Sequence, residues 1–290
     1  MWGFQFFLVF LVAGVVFVTG QTLDEDLTLT HSEKLTLDKF KERVSHKLPH
    51  KYMQEDIYLV RWLRARKFNV EAAEQMLMEN VAWRSKNKMD SVNEEDWSDL
   101  EPDFRYSIEG CDNEGRPVVS VFLGDWDIRK AILAGKSKRL MRYIDHLVEE
   151  VTSLVRSSQE RGMNITQWTL ILDMNNYNLA QHGCLQCIPI QLHFLRTLQQ
   201  HYPGDVHKLH VINTPQVFTP VLQLMKPLFS ERARKILTFF GRDKEEWQNV
   251  LLRDIARDKL TQNFGGDKES PYEMEHFKQL GYFQCSNDIV

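Results

Sequence analysis

The stretch from Tyr202 to Gly241 reads YPGDVHKLHVINTPQVFTPVLQLMKPLFSERARKILTFFG and contains a short strand followed by an unusually apolar helix. The strand is predicted over Leu209–Ile212 and ends before Pro215, because proline lacks a backbone N–H and extends the residue before it. The helix is predicted over Phe218–Phe229, and its large apolar residues leave only a narrow polar stripe: Phe218, Val221, Leu222, Leu224, Met225, Leu228 and Phe229. Such a helix is expected to be buried on both sides.

Two interpretations of this helix remain open from spacing alone: an ordinary core helix, or the wall of a pocket. Pro220 and Pro227 at its two ends favour a bounded unit that moves separately. Burial of a leucine or phenylalanine contributes about 1.5–3 kcal/mol whether the contact is protein or ligand, so the apolar pattern does not distinguish the two.

The composition is that of a globular protein, with 43% hydrophobic and 26% charged residues in 290 positions. A chain of this length forms one or two domains with a sizeable core. The net charge of −4 and pI near 6.2 argue against a nucleic-acid partner and against a polybasic membrane anchor. Any membrane contact is therefore expected to be mainly apolar.

Residues 1–20, MWGFQFFLVFLVAGVVFVTG, form an apolar run of signal-peptide length ending in small residues. We interpret them as a secretory signal, which predicts a secreted or lumenal protein. An uncleaved membrane anchor and a misassigned start are the alternatives, since no Lys or Arg precedes the run. Asn164 begins the sequon Asn-Ile-Thr and is the predicted glycosylation site.

The remaining chain alternates helices and strands in an α/β pattern. Residues 34–97 are predicted to form a small helical layer, and an acidic link leads from it into the main sheet. The strand Trp168–Leu172, the helix Leu185–His201 and the strand Leu209–Ile212 form a β-α-β unit, so the two strands are predicted to be parallel. The other predicted elements are the strands Pro117–Leu123 and Ile236–Phe240 and the helices Ser137–Gln159 and Glu245–Ile255.

Five segments occur in an order and spacing that resembles the CRAL-TRIO lipid-binding family: LVRWLRARKFNVEAAEQML, GCDNEGRPVVSVFLG, LILDMNNYNL, YPGDVHKLHVINTPQVFTPVLQLMKPLFSERARK and NFGG. That family includes phosphatidylinositol-transfer, tocopherol-transfer and retinaldehyde-binding proteins. The resemblance implies a mixed, mostly parallel sheet forming the floor of a hydrophobic cavity over residues 100–266. The tail, 267–290, is too short for the jelly-roll-like domain of some relatives.

The resemblance implies that the helix after INTP is a gate, which opens at a membrane to exchange one lipid. The resemblance therefore implies a monomer with no cofactor, no metal and no catalysis, whose partner is a hydrophobic small molecule and whose gate contacts membranes transiently. A scaffold with a sealed pocket that binds a protein is the alternative. The residues expected to bind the lipid are apolar: Val119, Val121, Trp168, Leu170, Leu172, Phe194, Leu198, Ile212, Phe218, Val221, Leu222, Met225 and Phe229.

The chain departs from the phosphoinositide-binding pattern at its charged positions. Gly204 stands where such relatives have an acid after Tyr-Pro, and Ile236 stands where they have a lysine, with Lys235 one position away. Trp168 and Leu170 replace hydroxyl residues. These differences favour a bulky, weakly polar ligand resembling a tocopherol, retinoid, sterol or carotenoid. Transfer of phosphatidylinositol or phosphatidylcholine is the alternative.

One cluster has residue types suited to zinc or to dithiol chemistry: His182, Cys184, Cys187 and His193. Its spacing is unconvincing for either, and small packed thiols are the favoured interpretation. The four cysteines allow three full disulfide pairings, and the sequence does not choose among them. Asp173 at a strand end is expected to cap its loop rather than to act as a catalytic base, because no partner base is in sight.

Overall fold

The computed structural model describes residues 26–269, so the predicted leader at 1–20 and residues 270–290 of the predicted tail lie outside it. Three helices come first: α1 (His31–Val44), α2 (Asp56–Ala65) and α3 (Val70–Lys86). Thr30 and Glu33 form a capping box at the start of α1, and Asn69 caps α3 by accepting from the backbone N–H of Ala72 at 2.8 Å. These helices bury a core of their own around Phe40 and Trp62.

Five strands follow in the spatial order β1-β2-β3-β4-β5: β1 (Tyr106–Cys111), β2 (Pro117–Phe122), β3 (Trp168–Asp173), β4 (Val206–Ile212) and β5 (Leu237–Phe239). The first pair is antiparallel and the other three pairs are parallel. The predicted mixed, mostly parallel sheet is confirmed, and so is the parallel β3–β4 pair. Strand β1 was not predicted, since Glu109 and Gly110 obscure its alternation.

The helices of the main domain are α4 (Ile128–Leu133), α5 (Ser137–Glu160), α6 (Ile188–Arg196), α7 (Thr219–Met225), α8 (Glu231–Ile236) and α9 (Lys244–Asp254). Helix α6 continues as a π-helical turn over Thr197–His201. Helix α5 packs on the sheet face that carries Val119 and Leu170, whereas α9 packs on the opposite face around Val118 and Ile171. Both faces of the sheet are thus at least partly covered, as a parallel sheet requires.

The N-terminal helices are joined to the main domain by buried ion pairs. Arg84 donates to Glu149 at 2.8 and 3.0 Å, and Arg61 pairs with the buried Asp205 and donates to the carbonyl of Thr166 at 3.0 Å. Burial acts to raise the pKa of Glu149, but the hydrogen bonds and positive charge of Arg84 and Arg156 hold that pKa below its ordinary value. A buried carboxylate shared by two guanidinium groups fixes the relative position of the two layers.

Among residues 26–269 no helix has both the length and the apolar character needed to cross a membrane.

Candidate functional site: an apolar cavity beneath an exposed helix

A cavity of about 960 Å³ lies between the sheet and the helices above it, and it extends from Gln167 and Val206 at the amino-terminal ends of β3 and β4 to Met174 after the carboxyl-terminal end of β3. The sheet contributes Val121, Leu172, Leu209, Val211, Leu237 and Phe239 to its walls. Helices α5 and α6 contribute Ile144, Leu147, Ile190, Phe194, Leu195 and Leu198. Such a space suits a large apolar molecule, since pockets of about 300–1,000 Å³ lined mainly by hydrophobic side chains are typical ligand sites.

One wall of the cavity is formed by residues 216–229, which we call the gate segment. It consists of a 3₁₀ turn at Gln216–Phe218, helix α7 and a second 3₁₀ turn at Lys226–Leu228. Phe218, Met225 and Phe229 border the cavity. Pro220 and Pro227 stand near the starts of their helical turns, where the missing N–H has no helical partner to lose.

The expectation that this helix is buried on both sides is wrong. No residue of α7 is buried, and Leu224 and Leu228 are 58% and 49% exposed. The apolar residues of the helix have three different surroundings: Met225 borders the cavity, Val221 and Leu222 pack near Met174 and Val211, and Leu224 meets solvent. Within the gate segment only Phe218 is buried, against Met174, Tyr177 and Val211.

Seven of the predicted lipid-binding residues border the cavity: Val121, Leu172, Phe194, Leu198, Phe218, Met225 and Phe229. Val119, Trp168 and Leu170 do not border it, because they are fully buried between the sheet and helix α5. Val221 and Leu222 do not border it either and pack around Met174 and Val211 instead. Contact of these residues with a ligand stays a prediction.

Ile212 was placed on the wrong face of the sheet. In the register of β3 and β4, Leu209 pairs with Leu170 and Val211 pairs with Leu172, whereas Ile212 pairs with Asp173. Side chains alternate along a strand, so Leu209 and Val211 face the cavity and Ile212 faces α9. Once the parallel register places Val211 beside Leu172, the alternation along β4 identifies Leu209 and Val211 as the residues that face the cavity.

A rim of basic residues borders one end of the cavity: Arg64, Arg66, Lys67, Arg232 and Lys235. Arg64 is held by Asp26 at 2.9 Å, and the Nη2 of Arg232 donates to the carbonyl of Gly204 at 3.3 Å. Burial lowers the pKa of the Arg232 guanidinium. The rest of the rim is exposed, and the side chains of Lys67 and Lys235 lie 3.5 and 3.7 Å from carboxylate oxygens of Glu231.

Lys235 borders the cavity, although the ligand prediction assumed that no lysine is available there. In the sequence, Lys235 lies one residue before the position where a headgroup-binding lysine is expected. Both Lys235 and Ile236 border the cavity, because they lie where α8 gives way to β5. A positive charge is therefore present at this end of the cavity.

The interpretation of Cys184 and Cys187 as packed thiols is wrong, because the two form a disulfide. Cys111 is also disulfide-bonded. The ring nitrogens of the two histidines contact other described residues and not the cysteines. The Nδ1 of His182 lies 2.9 Å from the carbonyl of Asn178, and the Nε2 of His193 lies 2.9 Å from Asp145. Within residues 26–269 no group of three or more His, Cys, Asp or Glu residues could hold a metal ion.

Two further predicted residues lie at loops. Asp173 accepts from the backbone N–H of Asn175 and from the side chain of Asn213, each at 2.8 Å, which confirms its capping role. Asn164 is exposed on the connection from α5 to β3. Its glycosylation stays a prediction.

The chain belongs to the CRAL-TRIO family: it matches the CRAL/TRIO domain over residues 103–266 and the CRAL/TRIO N-terminal domain over residues 36–79. Proteins of this family bind lipids or other hydrophobic small molecules. The resemblance inferred from five segments is thereby confirmed.

Similar proteins include Protein real-time of the mosquito Aedes aegypti, 24% identical over 84% of this chain, and Protein real-time of Drosophila pseudoobscura pseudoobscura, 26% identical over 72%. This chain spans only 39% and 31% of those relatives. The crystal structure of Sfh5 is similar in fold, with a TM-score of 0.62 and 18% identity, over 77% of this chain and 84% of that one.

Proposed function

We propose that this protein is a carrier, not an enzyme, that binds one hydrophobic lipid in the cavity and exchanges it at membranes by movement of the gate segment. The observation that carries the proposal is the cavity of about 960 Å³ whose outer wall, α7, has no buried residue. A packed core would have filled this space, because protein interiors leave few voids larger than a water molecule.

The apolar walls provide enough free energy for such a ligand. At about 0.8 kcal/mol per buried CH₂, an acyl or isoprenoid chain of roughly fifteen carbons gains about 12 kcal/mol on leaving water. Part of this gain is lost to the ordering of the ligand and to the rim charges it desolvates. The remaining free energy is sufficient to hold the lipid while the protein moves through water. Release of the lipid therefore requires a membrane that receives it.

The exposure of the gate segment supports its movement in the exchange step. Between the buried Phe218 and the half-buried Phe229, the side chains of the segment are half-buried or exposed, so displacing it breaks few contacts within the protein. Its exposed Leu224 and Leu228 would enter a bilayer surface when the segment moves. Charging its half-buried side is the matching test: Leu222→Asp with Met225→Asp should abolish lipid exchange between vesicles. Normal exchange by the folded double variant would contradict the role of the gate.

The proposed ligand is bulky and weakly polar, because Gly204, which borders the cavity, stands where phosphoinositide-binding relatives have an acid, and because the walls formed by the sheet and by α5 and α6 are mainly apolar. Phosphatidylinositol is the second candidate. The observation in its favour is the basic rim, in which Arg66, Lys67 and Lys235 border the cavity and could contact a phosphate.

Extraction and identification of the lipid bound to the purified protein distinguishes these candidates. A tocopherol, retinoid, sterol or carotenoid supports the first, and phosphatidylinositol as the main lipid overturns it in favour of the second. No bound lipid, together with failure to take up any lipid from vesicles, would contradict the carrier role and favour a scaffold with a sealed pocket.

The location of the carrier follows from the sequence of its first twenty residues. We propose secretion or residence in the secretory lumen, with the protein as a monomer. N-terminal sequencing of the protein recovered from culture medium tests this. A product beginning after residue 20 supports it, and a membrane-bound product that retains residues 1–20 supports an anchor instead.

A further inference from the structure

Most exposed large apolar side chains of residues 26–269 lie on three connections that leave the same edge of the sheet. Leu133 follows β2 on helix α4, Leu179 and Leu185 follow β3, and the others follow β4 in the gate segment: Val217, Leu224 and Leu228. Leu133 is 77% exposed and Leu185 is 83% exposed, more than any of the gate residues. The remaining two, Leu27 and Leu35, belong to the N-terminal region.

The three connections touch one another. The backbone N–H of Arg129 on α4 donates to the carbonyl of Gln181 at 3.0 Å, which joins the first connection to the second. The ring of Tyr177 packs edge-on against Phe218 at 5.4 Å, which joins the second connection to the gate segment. Leu133, Leu185 and the gate leucines therefore belong to one continuous end of the molecule, around the cavity.

The second connection is built to hold Leu185 outward. The disulfide joins Cys184 to Cys187, so it closes around Leu185, and Cys187 is fully buried beneath it. Backbone hydrogen bonds from His182 to Asn178, from Gly183 to Leu179 and from Cys187 to Cys184 make the loop compact. A leucine on a flexible loop could turn toward apolar neighbours, whereas this one is fixed at the apex of a cross-linked turn.

Cations accompany the exposed leucines. Arg129 stands four positions before Leu133 and so shares its face of α4, and Lys226 lies between Leu224 and Leu228 in the gate segment. Among the described residues neither Arg129 nor Lys226 lies within ion-pair distance of a carboxylate, although neighbouring cations such as Lys130 and Lys136 are paired. Apolar side chains beside unpaired cations are typical of a surface that meets anionic lipid headgroups.

We propose that α4 and the disulfide-closed loop 178–187 are fixed membrane anchors, with Leu133 and Leu185 inserting into an anionic phospholipid bilayer beside the moving gate segment. The exposed apolar side chains are distributed over three connections with no more than three on any one of them, whereas a stable protein partner contacts about 20–30 residues. A bilayer surface accepts separate points, because each leucine inserts between headgroups independently. The purpose of these anchors rests on the proposed carrier function, but their presence can be tested without it.

Flotation with phosphatidylcholine vesicles, with and without phosphatidylserine, tests the proposal on the full-length protein. Leu133→Asp and Leu185→Asp should each lower the membrane partition coefficient by about tenfold or more, since loss of one inserted leucine exceeds the 1.4 kcal/mol that corresponds to tenfold. Leu35→Asp is the matched control, because that leucine is 50% exposed on α1, and it should bind as the wild type does. Arg129→Gln should weaken binding only to vesicles that contain phosphatidylserine.

The proposal is overturned if the folded Leu133→Asp, Leu185→Asp double variant binds vesicles as the wild type does, or if Leu35→Asp weakens binding equally. It is also overturned if sedimentation shows that the leucines hold two copies of the chain together and no vesicle binds. Native mass spectrometry of the same samples separates this result from the carrier role. Vesicle binding that depends on Leu133 and Leu185 in a protein without bound lipid keeps the anchors and contradicts the carrier.

Discussion

The two faces of the sheet carry similar apolar side chains but differ in how completely those side chains are buried. On one face, Val118, Ile171 and Ile212 are completely buried beneath Trp247 and Leu251 of α9. On the other, Leu172, Leu209 and Phe239 are only partly buried, because they border the cavity. Both faces show the same strand alternation, so the difference lies in the covering element: α9 presents large side chains to its face, whereas the gate segment packs on Val211 and leaves the cavity beside it open.

The filled face should show the larger cost of truncation. Trp247→Ala removes a side chain that is 1% exposed and leaves a cavity that α9 cannot close, so the free energy of unfolding should fall by about 3–5 kcal/mol. Urea denaturation followed by circular dichroism measures this loss. A change below about 1 kcal/mol would show that α9 does not fill its face as described.

The ion pair beneath the cavity should come next, with a dependence on pH. Glu149→Gln leaves the buried Arg84 with only Asp90 at the edge of the site and removes the carboxylate partner of the partly buried Arg156, which should cost on the order of 3 kcal/mol at neutral pH. The lowered pKa of Glu149 means that its stabilisation is present above the ordinary value of 4.5 and is lost as the pH falls through its lower native value.

Unfolding measured across this range should therefore show the wild type and Glu149→Gln converging in stability below pH 4.5. Asp38→Asn is a suitable control and should change stability little, because within residues 26–269 Asp38 pairs only with the exposed Lys34 on α1. A constant difference between wild type and Glu149→Gln from neutral to acid pH would contradict the role given to the buried charge.

Truncation of a side chain on the cavity-facing side of the sheet should lower the free energy of unfolding less than truncation on the filled face. Leu209→Ala enlarges a cavity that already exists, so its loss of stability without ligand should be below the roughly 2–5 kcal/mol typical of Leu→Ala in a filled core. The same variant should bind its ligand more weakly, which unfolding with and without added lipid detects, because a ligand stabilises only the state that binds it. A full core-sized loss in the lipid-free protein would show that Leu209 is packed.

The smallest effect is expected outside the cavity wall. Leu224 is 58% exposed and, in the part of the chain that the structure describes, belongs to no buried cluster, so Leu224→Ser should change the free energy of unfolding by no more than about 0.5 kcal/mol. Its rate of lipid exchange between vesicles should nevertheless fall. An unchanged rate would separate Leu224 from membrane contact.

The sequence was sufficient for four of the five strands of the sheet and for part of the cavity. Period-two alternation identified Val121 and Leu172, and the β-α-β unit gave the parallel pairing of β3 and β4. It failed at Ile212, because the face on which a strand residue lies follows from the register with the neighbouring strand: Val211 lies beside Leu172 and Ile212 lies beside Asp173.

The exposure of the gate helix and the bridging of Cys184 to Cys187 could not be read from the sequence. An apolar helix gains the same free energy against protein or ligand, so its pattern predicts burial without naming what buries it. The pairing of cysteines depends on the distance between them in the fold, here a Cα separation of 4.9 Å. Lys235 shows the same limitation, since its place beside the cavity depends on where α8 ends.

The central claim is that the open face of the sheet holds one hydrophobic molecule. Native mass spectrometry of the wild type and of Val211→Trp, which fills the cavity from β4, tests it most directly. The account predicts one lipid-sized adduct on the wild type and none on a folded Val211→Trp, with a filling variant on the opposite face, Val118→Ile, retaining the adduct. An adduct on Val211→Trp equal to that on the wild type would place the ligand elsewhere and contradict the account.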